Sequence, residues 1–124
     1  MLQTNKIKPV VSLFQIPEDY RVALEKIANG DAINLDKQSI NSCILEALDS
    51  YLNLAPDSQS KPILPKVPLR AFTVRTSSEL KQKINYCATN WQLKTAMPIS
   101  MNAVVNTAIL QYLKKLIQGY HPPF

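Results

Sequence analysis

The chain has 124 residues, of which 46% are hydrophobic, and it contains 9 prolines but only 2 glycines. This length suits one compact domain or two very small units, and the hydrophobic share excludes a wholly disordered chain. The scarcity of glycine excludes a glycine-rich phosphate-binding loop, and the apolar runs are too short to cross a bilayer. The start lacks a signal-peptide pattern, and there are two cysteines, so we expect reduced thiols in a cytoplasmic protein.

The charge is unevenly distributed along the chain. Residues 1–52 carry 5 Lys and Arg against 7 Asp and Glu, a net charge of −2, whereas residues 53–124 carry 9 against 2, a net charge of +7; together they give the +5 of the whole chain. A basic second half favours an anionic partner, of which nucleic acid is the obvious candidate. The alternative is that these charges only keep the surface soluble.

The first half of the chain predicts a strand followed by two helices. Residues 10–16 are strand-like, and Pro17 suits the first turn of a helix. That helix is predicted from the apolar spacing of Tyr20, Leu24, Ile27 and Ala28. A second helix, with Ser39 as its N-cap, is predicted from a longer apolar stripe with helical spacing: Ile40, Cys43, Ile44, Ala47, Leu48, Tyr51 and Leu52.

A proline-rich stretch separates this half from the next. Residues 53–69 contain four of the 9 prolines. Proline fixes φ and disfavours helix in the residue before it, so an extended linker is expected here.

The second half repeats the order strand, helix, helix. Residues 70–76 alternate with period two, and Thr76 with Glu79 fits a capping box. The first helix is predicted from Leu80, Ile84, Cys87 and Ala88, and Trp91 extends the same stripe by one turn. Ser100 is the expected N-cap of the second helix, whose stripe matches the spacing of its counterpart: Met101, Val104, Val105, Ala108, Ile109, Tyr112 and Leu113.

The repeat predicts the organisation of the molecule. We expect a first half over residues 1–52, a linker over 53–69, a second half over 70–117 and a tail over 118–124. Half a chain of this size cannot bury both of its apolar stripes alone, so the two halves should share one core.

This order of elements resembles the ribbon–helix–helix DNA-binding family of Arc, MetJ and CopG. The resemblance lies in residues 72–80 and 16–20, which are similar to the family's junction of strand and first helix, and in the Ser-x-Asn start and Ala-x-x-x-Tyr-Leu end of each second helix. Two fused copies are similar to the TraY-type arrangement. The resemblance implies a mainly α fold with a short antiparallel β-ribbon, in which two fused units form an intramolecular pseudo-dimer. The helix connections, residues 29–38 and 90–99, are longer than the family's short turn.

The ribbon that the resemblance implies fits the major groove of B-DNA. Alternation directs Phe72 and Val74 inward, with Ser12, Phe14 and Ile16 in the first strand. The outward side chains, which we expect to contact bases, are Arg75, Thr73 and Ala71 in the second strand and Gln15, Leu13 and Val11 in the first. Arg75 suits guanine and Gln15 suits adenine, because each can form two hydrogen bonds to that base, and the apolar side chains suit thymine methyl groups.

Three alternatives to these contacts stay open. Arg75 is otherwise a solvated charge at the edge of the ribbon. Val11 and Leu13 are equally suited to burial by another protein. A bulge in the first strand would exchange its two faces.

The starts of the second helices are expected to bind phosphates, because free N–H groups and the helix dipole attract anions there. The residues concerned are Ser39, Ile40 and Asn41 in the first half, Ser100, Met101 and Asn102 in the second, and Lys94, which adds charge. Ordinary capping is the alternative role for Ser39 and Ser100. Lys6 and Lys8 either reach phosphates or belong to a mobile arm.

Other chemistry is weakly represented. Cys43 and Cys87 lie on apolar stripes, which favours buried thiols, and one histidine, His121, makes a poor metal site. We therefore expect neither enzymatic activity nor a cofactor or metal.

The expected function is sequence-specific binding of double-stranded DNA by a monomeric pseudo-dimer, as a transcriptional repressor or a plasmid-transfer accessory factor. Further assembly on DNA is left open. The alternative is a protein-interaction module that keeps the fold and binds a partner through the first half; no membrane partner is expected.

Overall fold

The structure, a computed structural model, describes residues 10–30 and 39–124. These residues form two strands and four α-helices in the predicted order. The elements are β1 (Val10–Pro17), α1 (Glu18–Ala28), α2 (Ile40–Leu52), β2 (Leu69–Thr76), α3 (Ser78–Thr95) and α4 (Met101–Leu116). The prediction of a mainly α protein with a short antiparallel ribbon is confirmed. None of the four helices in these ranges has the length and apolar character needed to span a membrane.

The two strands form one antiparallel ribbon to which each half of the chain contributes one strand. The register is continuous, from Val10 opposite Thr76, through Phe14 opposite Phe72, to Pro17 opposite Leu69. A bulge would interrupt this one-to-one pairing. The ribbon therefore has the two faces that alternation predicts.

Serine side chains cap three of the helices. Ser39 accepts a hydrogen bond from the Ser42 backbone N–H at 3.0 Å, and Ser100 accepts one from the Ala103 N–H at 3.1 Å, so both predicted N-caps are confirmed. In α3 the cap is Ser77, which accepts from the Leu80 N–H at 3.0 Å.

Two predicted helix starts are corrected by the structure. The capping box of Thr76 and Glu79 is wrong because β2 continues through Thr76, which pairs with Val10 and is 3% exposed. Pro17 is the N-cap of α1 and not part of its first turn, since its backbone is still extended, with φ −62° and ψ 146°. In both places strand pairing continues one residue further than the helix signals suggest.

The first helix of the second half is longer than its counterpart, as the position of Trp91 predicts. Helix α3 has 18 residues and α1 has 11. The Trp91 indole N–H donates to the Oε1 atom of Gln59 in the linker at 2.8 Å. The additional turns of α3 thus pack against the linker and end at Ala96, whose φ of 56° is left-handed.

The linker is partly extended and is held on the protein surface. It contains a 3-10 turn over Pro56–Ser58, which the sequence does not predict. The Ile63 N–H donates to the Thr107 hydroxyl at 2.8 Å, which fixes the following extended stretch to α4.

One hydrophobic core joins the two halves, as expected from their size. Helices α2 and α4 pack against each other, and each also contacts a strand: α2 contacts β2, and α4 contacts β1. Both halves supply core side chains that are fully buried, at 0% exposure: Leu24, Ile44, Leu48, Ile84, Val104, Val105, Ile109 and Leu113.

Candidate nucleic-acid interface

The outer face of the ribbon carries the six side chains that the sequence assigns to base contacts. All six are exposed: Val11, Leu13, Gln15, Ala71, Thr73 and Arg75. On the opposite face Phe14, Ile16 and Val74 are buried, and Phe72 is half-buried. The structure therefore brings the predicted residues together on one solvent-facing surface, which we call the ribbon face.

Cross-strand pairing arranges the ribbon face in three rows. Val11 lies opposite Arg75, Leu13 opposite Thr73, and Gln15 opposite Ala71. The two long polar side chains, Arg75 and Gln15, consequently occupy diagonal corners. Four residue steps along the strand separate their rows, a distance of about 13 Å at strand geometry.

Helix α2 is joined to one edge of the ribbon through a side-chain amide. The Oδ1 atom of Asn41 accepts from the Arg75 backbone N–H at 2.7 Å, and its Nδ2 atom donates to the Arg75 carbonyl at 3.1 Å. Because Asn41 is the second residue of α2, these bonds place the start of that helix beside Arg75.

Helix α4 is joined to the other edge in a similar way, by two residues. The Oδ1 atom of Asn102 accepts from the Gln15 N–H at 3.2 Å, and the Nδ2 atom of Asn106 donates to the Gln15 carbonyl at 2.9 Å. The start of each second helix thus lies beside the strand of the other half, at the residue that carries the longest polar side chain of that strand on the ribbon face.

These bonds refine the predicted phosphate contacts. The side chains of Ser39 and Ser100 are engaged as caps, and those of Asn41 and Asn102 are engaged with the ribbon. Any anion at these sites would therefore meet the first backbone N–H groups, those of residues 40–41 and 101–102. A helix of this type leaves its first N–H groups without an intrahelical acceptor.

The remaining charged groups near the ribbon face are mostly paired or peripheral. Arg70 lies 3.9 Å from Glu18, whose carboxylate is bound by Arg21 at 2.6 Å. The Arg21 guanidinium lowers the pKa of Glu18 through this hydrogen bond and so reinforces the ionised form that a glutamate already has at neutral pH. The ion pairs found among the described residues do not include Arg75.

Lys94 lies on the linker side of α3. Its ammonium group is 4.7 Å from the centre of the Trp91 ring, a cation–π arrangement. Both residues line a cleft of about 410 Å³ that Leu54 and Pro56 of the linker help to form. The Lys94 side chain, which the sequence assigns to a phosphate contact, thus already interacts with Trp91.

The two thiols are structural. Cys43 and Cys87 are buried, as predicted, and burial raises the pKa of Cys87 to about 11. A thiol with this pKa is almost entirely protonated at neutral pH, which makes it a poor nucleophile. Residues 10–30 and 39–124 contain no group of three His, Cys, Asp or Glu side chains that could hold a metal ion.

The role of the asparagines was missed at the sequence level. Asn106 is 0% exposed, and it lies among buried apolar side chains of α4 that include Val105 and Ile109. Its position one turn after Asn102 was the available signal, because two amides on one side of a helix end can bind the same backbone segment.

Two parts of the sequence prediction lie outside the described residues: Lys6 with Lys8, and residues 31–38, which include most of the longer connection in the first half.

Comparisons of the chain with protein-family models, with curated proteins and with solved structures find no match. The function is therefore argued from the geometry and chemistry of the ribbon face and its flanking helix starts.

Proposed function

We propose that the protein binds double-stranded DNA sequence-specifically, by inserting the ribbon into the major groove, as a transcriptional regulator or a plasmid-transfer accessory factor. The observation that carries the proposal is the ribbon face, which is exposed and is flanked on both edges by a helix start. A two-stranded ribbon matches the width of the major groove. Helix starts at its edges are suited to the phosphates on either side.

The proposal includes an intramolecular pseudo-dimer of two ribbon–helix–helix units. The N-caps Pro17 and Ser77 are 60 positions apart. Leu13 and Thr73, also 60 positions apart, lie directly opposite each other in the ribbon. Equivalent residues pair with each other only at a two-fold axis, so this register supports an approximate two-fold axis through the central row.

The same axis relates the two long polar residues of the ribbon face and the asparagines that bind their backbones. Gln15 and Arg75 are 60 positions apart, and each is bound by an asparagine near the start of a second helix. The corners are separated by about four residue steps of about 3.3 Å, which is close to four base-pair steps. We therefore expect Arg75 and Gln15 to read a guanine and an adenine on opposite DNA strands, about three to four base pairs apart.

Binding to DNA is tested by fluorescence anisotropy with a short duplex of mixed sequence, titrated at several salt concentrations. We expect binding at low salt that weakens steeply as salt rises, because bound counterions are released. Arg75→Glu should weaken binding strongly, whereas Lys115→Glu, with the same change in charge, should weaken it less. Lys115 lies in the last turn of α4, roughly 20 Å along the helix from the end that contacts the ribbon. Equal effects of the two changes, or no binding by the natural chain, would contradict the proposal.

A second candidate function is protein binding through the first strand. Val11 and Leu13 are 61% and 67% exposed, and neighbouring apolar side chains on a surface favour a protein partner. Thymine methyl groups offer the same two side chains an apolar contact in DNA. Leu13→Ala distinguishes the two functions without adding a charge: it should strongly weaken binding of a protein partner, whereas in DNA it should alter preference mainly at one base step.

A further inference from the structure

We infer that Asn41 and Asn102 are positioning residues, which hold Arg75 and Gln15 at fixed places relative to the helix starts and thereby set the discrimination between bases. The inference rests on the proposed DNA binding and deepens it. It assigns to two asparagines a role in specificity that does not require either of them to touch a base.

The geometry of the bonds supports this assignment. Asn41 binds both backbone polar groups of Arg75, at 2.7 and 3.1 Å, so the amide plane is fixed against the strand. In an antiparallel ribbon the N–H and C=O of one residue point to the same side. Both bonds therefore lie on the outer edge of β2, where the strand has no further strand to pair with.

The second half repeats the arrangement with different residues. Asn102 accepts from the Gln15 N–H, while the donor to the Gln15 carbonyl is Asn106, which also donates to the Asn102 carbonyl at 2.8 Å. The other four residues of the ribbon face, Val11, Leu13, Ala71 and Thr73, have no such side-chain bond to their backbone within the described ranges. Of the six residues of the ribbon face, the bonds from the second helices thus select the two with long polar side chains, Arg75 and Gln15.

The consequence is a rigid link between two kinds of DNA contact. The helix start is joined to the backbone of the base-contacting residue by the Asn41 amide on one edge, and by the amides of Asn102 and Asn106 on the other. A phosphate bound at the start of α2 would fix where Arg75 meets its base, and the start of α4 would do the same for Gln15. Small displacements matter here, because a bidentate bond to a base edge tolerates little misalignment.

Hydrogen exchange of the unbound protein provides the first test. In Asn41→Ala the Arg75 amide should exchange faster with solvent, on the order of 2- to 10-fold from the loss of one hydrogen bond, while the Gln15 amide should be unchanged. Asn102→Ala should give the reverse. Asn85→Ala, an exposed substitution on α3, is the matched control and should alter neither amide. Unchanged exchange at both amides would overturn the inference.

Discrimination between bases provides the second test. Asn41→Ala should reduce the preference at the base pair contacted by Arg75 about 2- to 10-fold, with the preference at the Gln15 base pair retained; Asn102→Ala should do the opposite. A merely structural role would weaken binding to all sequences alike, and that result would overturn the inference. If the natural chain bound no duplex, the proposed function would fail, and the exchange measurement alone would decide whether the asparagines fix the ribbon.

Discussion

The residues of the ribbon face differ in how much specificity each is expected to contribute. Arg75 is exposed, and its backbone is bound on both polar groups by Asn41. Arg70 is on the same strand and is equally charged, but it lies in the alternate register and beside Glu18. Comparing substitutions of Arg70 and Arg75 therefore separates the effect of a charge from the effect of its position.

We predict that Arg75→Ala weakens binding to the preferred site by about 1–3 kcal/mol, concentrated at one guanine-containing step, because a bidentate bond to guanine is lost. Arg70→Ala, the matched control, should remove only a weak electrostatic contribution that is similar on every duplex. Titration of both variants against the preferred site and against an unrelated duplex measures the difference. If Arg75→Ala lost equal affinity on both duplexes, Arg75 would be a phosphate contact.

At the scale of single residues, the sequence predicts well which face of a strand a side chain occupies, and less well which residue caps a helix. Alternation alone assigns Thr73 and Arg75 to the exposed side, because a strand of regular pleat has no other choice once Phe72 and Val74 face the core. The run Thr76-Ser77-Ser78 offers three candidate hydroxyl groups for one cap. Pairing of Thr76 with Val10 decides between them, and that contact joins residues 66 positions apart.

Among the elements, the linker differs most from what its composition suggests. Prolines predict an extended segment, but they do not predict where it lies. The structure fixes it to α4 through the Thr107 hydroxyl, which accepts from the Ile63 N–H and donates to the Ile63 carbonyl at 3.3 Å. It also fixes it to α3 through Gln59 and Trp91. These contacts join residues more than 30 positions apart in the sequence, and the periodicity of apolar residues does not predict such contacts.

We predict that Thr107→Val lowers the free energy of unfolding by about 0.5–1.5 kcal/mol, because it removes the hydroxyl while keeping the shape of the side chain. Thr89→Val, at an exposed position of α3, carries the same change in helix propensity and serves as the control. Urea denaturation followed by circular dichroism measures both. Equal losses in the two variants would mean that the bond to the linker contributes nothing to stability.

The asparagine contacts of α2 and α4 illustrate a second limit at the scale of elements. The sequence places the starts of α2 and α4 and both strands correctly, and it assigns Asn41 and Asn102 to phosphate contacts on either side of the groove. It does not show that their side chains bind the strand of the opposite half, since those bonds span 34 and 87 positions. Only the antiparallel register of the ribbon brings these pairs together.

At the scale of the whole molecule, neither half has a complete core of its own. Each strand pairs only with the strand of the other half in the described part of the chain, and α2 packs against α4. We therefore predict that residues 1–55 and 56–124, prepared as separate chains, are largely unfolded alone and recover helical structure when mixed. Circular dichroism and sedimentation of each piece and of the mixture measure this. A folded monomer of residues 1–55 would refute the shared core.

The fusion of the two halves also makes the ribbon face asymmetric. A symmetric homodimer presents identical side chains on both strands and favours a palindromic site. Here the strands present Val11, Leu13 and Gln15 against Ala71, Thr73 and Arg75. We predict that exchanging these two sets between the strands reverses the orientation of the protein on its site, which cleavage from a tethered chemical nuclease would map. An unchanged orientation would place the asymmetry elsewhere in the molecule.

Selection of binding sites from a random duplex library tests sequence-specific recognition by the ribbon most directly. We predict that one chain enriches a single site that is not a palindrome, with a guanine and an adenine on opposite strands about three to four base pairs apart. The enrichment should be lost at the guanine in Arg75→Ala and retained there in Arg70→Ala. Failure of the natural chain to enrich any sequence would contradict DNA recognition by the ribbon, and an inverted repeat bound by a single chain would contradict its asymmetry.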